Sequence, residues 1–110
     1  MQLLELDIES SEKAARNAFP SYDKVPYCVQ LVIADMVFNL GTGGFKTFKE
    51  VEKGLKHIAE GKPGRDEVVH GIEDSCWAGN KPPEKCIGTV SAPERAKINI
   101  KRMKNCKHIQ

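Results

Sequence analysis

The stretch from Tyr27 to Leu40 constrains this chain more than any other. Val29, Leu31, Val32, Ile33, Met36, Val37 and Phe38 leave it apolar on almost every side, and a helix without a polar face is stable in water only when other elements cover it. The run therefore predicts a central helix around which the rest of the chain packs. Ser21, Tyr22 and Asp23 supply a candidate cap ahead of it, and Pro26 suits a first helical turn. Gly41, Thr42, Gly43 and Gly44 read as the break that ends it. With 110 residues in all, there is room for one core, so residues 1–110 are read as a single domain.

The remaining segments are read as helices that cover this centre. Leu4, Ile8, Ala15, Ala18 and Phe19 share one side of a helix over residues 3–19, which Pro20 ends. Thr47 and Glu50 stand in the spacing of a capping box and open a helix to about Ile58. After the turn at residues 60–64, Val68, Val69, Ile72 and Trp77 place a helix over residues 66–77. Ser91, Pro93 and Glu94 form a second start signal, for a last helix over residues 92–106 whose buried stripe is Ala96, Ile100 and Met103, followed by Cys106 or Lys107. Val, Ile and Thr do not alternate cleanly anywhere. The fold class expected is all-α, a compact bundle of about five helices.

Several function classes are excluded at this level. No apolar run approaches the roughly 20 residues of a bilayer span, and Glu5 and Asp7 stand where a signal peptide would carry Lys or Arg. Neither a membrane span nor a cleaved signal is expected. The net charge of +2 is too mild to argue for nucleic acid. Its distribution is uneven: residues 1–45 hold three Lys/Arg against six Asp/Glu, and residues 46–110 hold fourteen against nine. From Arg95 onward there are six cations and no acid. That suits an anionic partner, and equally a solvated basic helix face near a negative macrodipole end.

Cys28, Cys76, Cys86 and Cys106 allow three pairings. Cys76 and Cys86 bracket a Gly/Pro-rich stretch that a bridge would pin. Cys28 and Cys106 fall in predicted helices, which a bridge would tie together. Buried free thiols in a reducing compartment are the other reading. No zinc spacing is present, no cofactor-binding motif appears, and Gly41–Gly44 matches neither phosphate-binding glycine pattern. His57, His70 and His108 lie far apart, and the acid pairs Glu73/Asp74 and Glu5/Asp7 read as solvated helix faces.

The string Ala34-Asp35-Met36-Val37-Phe38-Asn39-Leu40-Gly41-Thr42-Gly43-Gly44-Phe45-Lys46-Thr47-Phe48 resembles the central helix and following turn of phage-type lysozymes. Upstream, Leu3 to Ile8 and Glu12 to Ala15 are similar to the helix that joins the two lobes of these enzymes. Downstream, Asp74-Ser75-Cys76-Trp77 and Ala92-Pro93-Glu94-Arg95-Ala96-Lys97 resemble the family's tryptophan element and its last helix start. The resemblance spans residues 2–104 and implies the C-terminal lobe of the lysozyme fold, with action on peptidoglycan at the bacterial cell wall or periplasm.

Two departures accompany it. Residues 78–90, with Cys86, are inserted between tryptophan and proline-arginine helix. The family's catalytic glutamate, aspartate and threonine precede the linking helix, so no acid of this chain stands at a family catalytic position, and neither Glu9 nor Asp23 is assigned that role. The resemblance places Phe38 and its neighbour Asn39 on the saccharide cleft as substrate-binding residues. The bare alternative for Phe38 is core packing. Trp77 is expected inside the core and Arg95 at the helix start. Three readings follow: part of a muramidase whose catalytic lobe lies on another segment or chain, a wall-binding module without catalysis, or a protein-interaction domain of the inhibitor or immunity type.

Overall fold

The structure, a computed structural model, describes residues 12–86 and 91–109. Five α-helices and two short 3-10 turns make up the described chain, with no strand among its residues. Helix α1 covers residues 12–18 and turns its Ala15, Ala18 and adjoining Phe19 into the core. The start expected at residue 3, with Leu4 and Ile8, lies outside the described residues. Arg16 grips Asp23 at 3.1 Å and lies 5.3 Å over the Tyr22 ring, which fixes the 3-10 turn Tyr22–Lys24. Burial raises the Tyr22 phenol above its ordinary pKa.

Helix α2 is Tyr27–Lys46, with Pro26 as its N-cap rather than inside its first turn. Val29, Val32, Ile33, Met36, Val37 and Phe45 are its buried residues, so one side of the apolar run lies in the core, while Leu31 and Phe38, expected to be covered with it, are exposed because that side of the helix has no element over it. The expected break over residues 41–44 is confined to one residue. Gly41 takes φ 75 and ψ 165, a left-handed conformation that costs little only without a Cβ. The chain then resumes its helix through Gly43 and Gly44. This lengthens α2 to 20 residues, and its most apolar 18-residue stretch has a mean hydropathy of 1.3, enough by length and composition to cross a bilayer, where no run of that length is expected from the sequence. The reason is that the glycines continue the helix beyond its kink.

Helix α3 is Lys49–Ala59 and α4 is Arg65–Glu73. They pack at glycine contacts: a Cβ on Gly64 would stand 2.1 Å from the Gly54 carbonyl oxygen, and one on Gly71 would stand 2.7 Å from Val51 Cγ2. The capping box expected at Thr47 does not form. Thr47 is still in the right-handed helical region as the C-cap of α2, and its hydroxyl donates to the Gly44 carbonyl at 2.6 Å. Phe48 caps α3 instead, without a side-chain bond.

Helix α4 ends at Glu73, short of the Trp77 expected. Ser75 closes the turn there: its hydroxyl donates to Ile72 O at 2.6 Å and accepts from Ala78 N–H at 3.2 Å. Trp77 is fully buried and meets Phe48 edge-on at 6.3 Å. Its carbonyl accepts from Ala92 N–H at 2.8 Å, so the tryptophan element sets where α5 starts.

Helix α5 is Pro93–Asn105, with Ala92 rather than Ser91 as N-cap and no side-chain cap bond. Its buried residues are Ala96, Asn99 and Met103, so the stripe runs through Asn99, while Ile100 is only partly buried. Both disulfides are present, Cys28–Cys106 and Cys76–Cys86, with Cα atoms 5.7 and 5.5 Å apart. Cys106 sits just past α5 as its C-cap. Arg65 reaches over from α4 to donate to the carbonyls of Cys106 and of Ile109, the latter at 3.1 Å.

Candidate functional site

The α2–α5 pair carries the residues of interest. Cys28 meets Cys106 and Asp35 meets Asn99, so higher numbers on α2 face lower numbers on α5 and the two helices run antiparallel. Tyr27, Leu31 and Phe38 are separated by four and seven residues and so share one side of α2. That side faces outward: Tyr27 is 71% exposed and Phe38 69%. Core packing of Phe38 is thereby excluded, and its ring stands in solvent three residues ahead of the Gly41 kink.

Asn39 is exposed beside it. Its amide nitrogen donates to Asp35 O at 2.7 Å and to Asp35 Oδ1 at 3.2 Å, which turns the side chain back along the helix and holds it there. Phe38 and Asn39 are thus adjacent and exposed, on a helix whose opposite side is buried.

Asp35 is the only acid in α2 and organises the neighbourhood. Its Oδ2 accepts from Asn99 Nδ2 at 2.7 Å, and Arg95 and Arg102 bring guanidinium nitrogens to 3.8 and 4.0 Å of the carboxylate. Asn99, wholly buried, also donates to Arg95 O at 3.1 Å and accepts from Arg102 at 3.1 Å. The polar group in the core is therefore fully engaged, as burial demands. Arg95 serves the Asp35 carboxylate rather than only its own helix start. Sequence reasoning missed Asp35, Asn99 and Arg102 as a unit. The signal was available: one charge within the apolar run from Tyr27 to Leu40 needs a partner.

A second cleft, of about 290 Å3, is lined by Thr47, Phe48, Glu50, Asp74, Ser75 and Lys81. Glu50 at its edge bonds to His70 Nδ1, and that bond raises the His70 pKa above the ordinary 6.5. His57 pairs with Glu67 at 2.8 Å, so two of the histidines that stand apart in sequence each bridge α3 and α4. Asp23 is held by Arg16, and Glu9 lies outside the described residues. No group of three or more His, Cys, Asp or Glu among the described residues is placed to hold a metal ion.

What the α2–α5 surface offers chemically is an exposed aromatic face, a positioned amide and two partly exposed guanidinium groups around one carboxylate. Stacking and hydrogen bonding to a ligand are the chemistry open to such an arrangement. Comparison with known proteins gives no match, neither a family, nor a curated protein, nor a solved structure.

Proposed function

We propose that this chain is a saccharide-binding helical lobe of the phage-type lysozyme kind, which holds peptidoglycan glycan and leaves hydrolysis to a catalytic lobe on another segment or chain. The observation that carries the reading is the 69% exposure of Phe38 on a core helix, with Asn39 next to it. The apolar face of a pyranose stacks on such a ring, and its hydroxyls pair with an amide. Glycoside hydrolysis needs two carboxylates flanking the bond. Asp35, the acid of α2, is committed to Asn99 and the arginines, so retention without cleavage is the behaviour expected of this chain alone. The residue string that resembles the lysozyme cleft supports the choice of peptidoglycan among glycans. The cations of α5 add attraction to an anionic wall polymer.

The test is sedimentation with insoluble peptidoglycan, with reducing sugar measured in the same supernatant. The chain should pellet and release no sugar. Phe38→Ala should weaken retention about tenfold, the scale of one aromatic contact, while Tyr27→Ala, at the other end of the stripe, should not. Sugar release, or equal retention of Phe38→Ala, would contradict the reading.

A further inference from the structure

The geometry points to a second surface, a groove between α2 and α5 that receives an acidic amphipathic helix from a partner protein. Cys28, Leu31, Ile98, Lys101, Arg102 and Asn105 line a groove of about 410 Å3. Tyr27 flanks it, one turn before Leu31 on the same side of α2. Two of the four large hydrophobic side chains exposed among the described residues thus line it, Leu31 at 36% and Ile98 at 43% exposure. Ile98 stands out in α5 because its exposed neighbours, Lys97, Lys101 and Asn105, are polar. Clustered apolar exposure of this kind marks a contact surface more than a solvated face.

The charge of the rim selects the partner. Lys97, Lys101 and Lys104 are exposed and Arg102 is partly so, and no acid follows Glu94 in α5. A helix with leucine-type side chains on one side and Asp or Glu along its edges meets both the apolar floor and the cationic rim. The groove is also preformed. The Cys28–Cys106 disulfide holds one end of the helix pair and the Asp35–Asn99 bond the other, so little ordering is required on binding. Its concavity between two helices suits one inserted row of side chains, whereas a lipid surface meets a convex face. The inference does not rest on the glycan reading: Phe38 does not line the groove, and only the α5 cations are common to both.

The experiment uses the whole oxidised chain and a fluorescent designed peptide with leucines at the i, i+3, i+4, i+7 spacing and glutamates elsewhere. Its scrambled and lysine-for-glutamate versions are the controls, read by anisotropy at low and raised salt. The acidic amphipathic peptide should bind about tenfold or more tighter than either control, and more weakly as salt rises. Ile98→Glu and Lys101→Glu, both at exposed positions whose melting curves check the fold, should each weaken it several-fold. Lys53→Glu on α3 should leave it unchanged. The inference is overturned if the peptide does not bind, if the scrambled peptide binds equally, or if Ile98→Glu has no effect. It is equally overturned if Ile98→Glu instead abolishes self-association in sedimentation velocity, or uptake by anionic phospholipid vesicles that bind where the peptide does not.

Discussion

Replacing Asp35 with Ala removes the carboxylate that joins α2 to α5, and its cost can be worked from the bonds it breaks. The bond from Asn99 Nδ2, at 2.7 Å to a buried donor, is charge-assisted and worth about 1.5–3 kcal/mol. Arg95 and Arg102 stand at 3.8 and 4.0 Å with side chains 45% and 36% exposed, so screening by solvent limits their joint contribution to about 1 kcal/mol. Asn99 keeps its bond to Arg95 O at 3.1 Å and is not orphaned, which places the total near the lower end, about 2–3 kcal/mol. Each kcal/mol moves the melting temperature of a domain this size by about 4–8 °C. Asp35→Ala should therefore melt on the order of 8–24 °C below the parent. Thermal melts of Asp35→Ala, Asn99→Ala and the double variant form a cycle whose coupling should be about 1–2 kcal/mol. Additive effects, or a drop under about 4 °C, would refute the assignment of this pair as the pin between the two helices.

Further outcomes follow from the same packing. Gly64→Ala should cost about 1–3 kcal/mol, because its Cβ would lie 2.1 Å from the Gly54 carbonyl oxygen and α3 and α4 would have to part. Gly43→Ala, with nothing within 4 Å of the new methyl group, should be neutral or stabilising by up to about 1 kcal/mol; denaturant melts should therefore show a loss of stability for Gly64→Ala and none for Gly43→Ala. Removing Cys28–Cys106, which closes a separation of 78 residues, should cost more than removing Cys76–Cys86, which closes 10. Loop entropy alone gives about 4.5 against about 2.7 kcal/mol, and paired Cys→Ser melts that reverse the order would contradict it. His70 has a folded pKa raised above 6.5 by its bond to Glu50. Its contribution is thus fully present below about pH 6.5 and lost as pH rises through the folded value. The stability gap between the parent and His70→Gln should shrink from pH 6 to pH 9, and a gap that grows would have the wrong sign.

The parts of the fold legible in the sequence are those set by hydrophobic composition. The run from Val29 to Val37 is apolar but for Gln30 and Asp35, and Val29, Val32, Ile33, Met36 and Val37 are buried as that composition demands, while Leu31 stays exposed. Ala15, Ala18 and Phe19 share a side for the same reason, and all three are buried. The Cys76–Cys86 disulfide follows from the Gly/Pro-rich stretch those residues bracket, and the Cys28–Cys106 disulfide from the helices that carry them.

What escaped depends on tertiary geometry. A capping box requires an extended residue at its head, and Thr47 stays helical because α2 resumes after the Gly41 kink. Glu50, the other half of that box, turns to His70 instead. In α5 a spacing rule chose Ile100 over Asn99 because an amide does not look like a core residue. Asn99 is buried because Asp35 on α2 waits opposite it, a contact 64 residues away that local periodicity cannot show. Phe38 was balanced between core and cleft in sequence, since an aromatic in an apolar helix suits both. Its exposure is set by which face of α2 is left uncovered by α5.

The central claim is that Phe38 and Asn39 form a glycan-binding surface. The most direct measurement is an amide chemical-shift titration of the oxidised chain with soluble peptidoglycan glycan fragments, repeated on Phe38→Ala. The account predicts shifts centred on Phe38, Asn39 and the turn at Gly41, and their loss in a variant that keeps its fold. Shifts confined to the cleft of Thr47, Glu50, Asp74 and Lys81, or an unaltered response in Phe38→Ala, would contradict it.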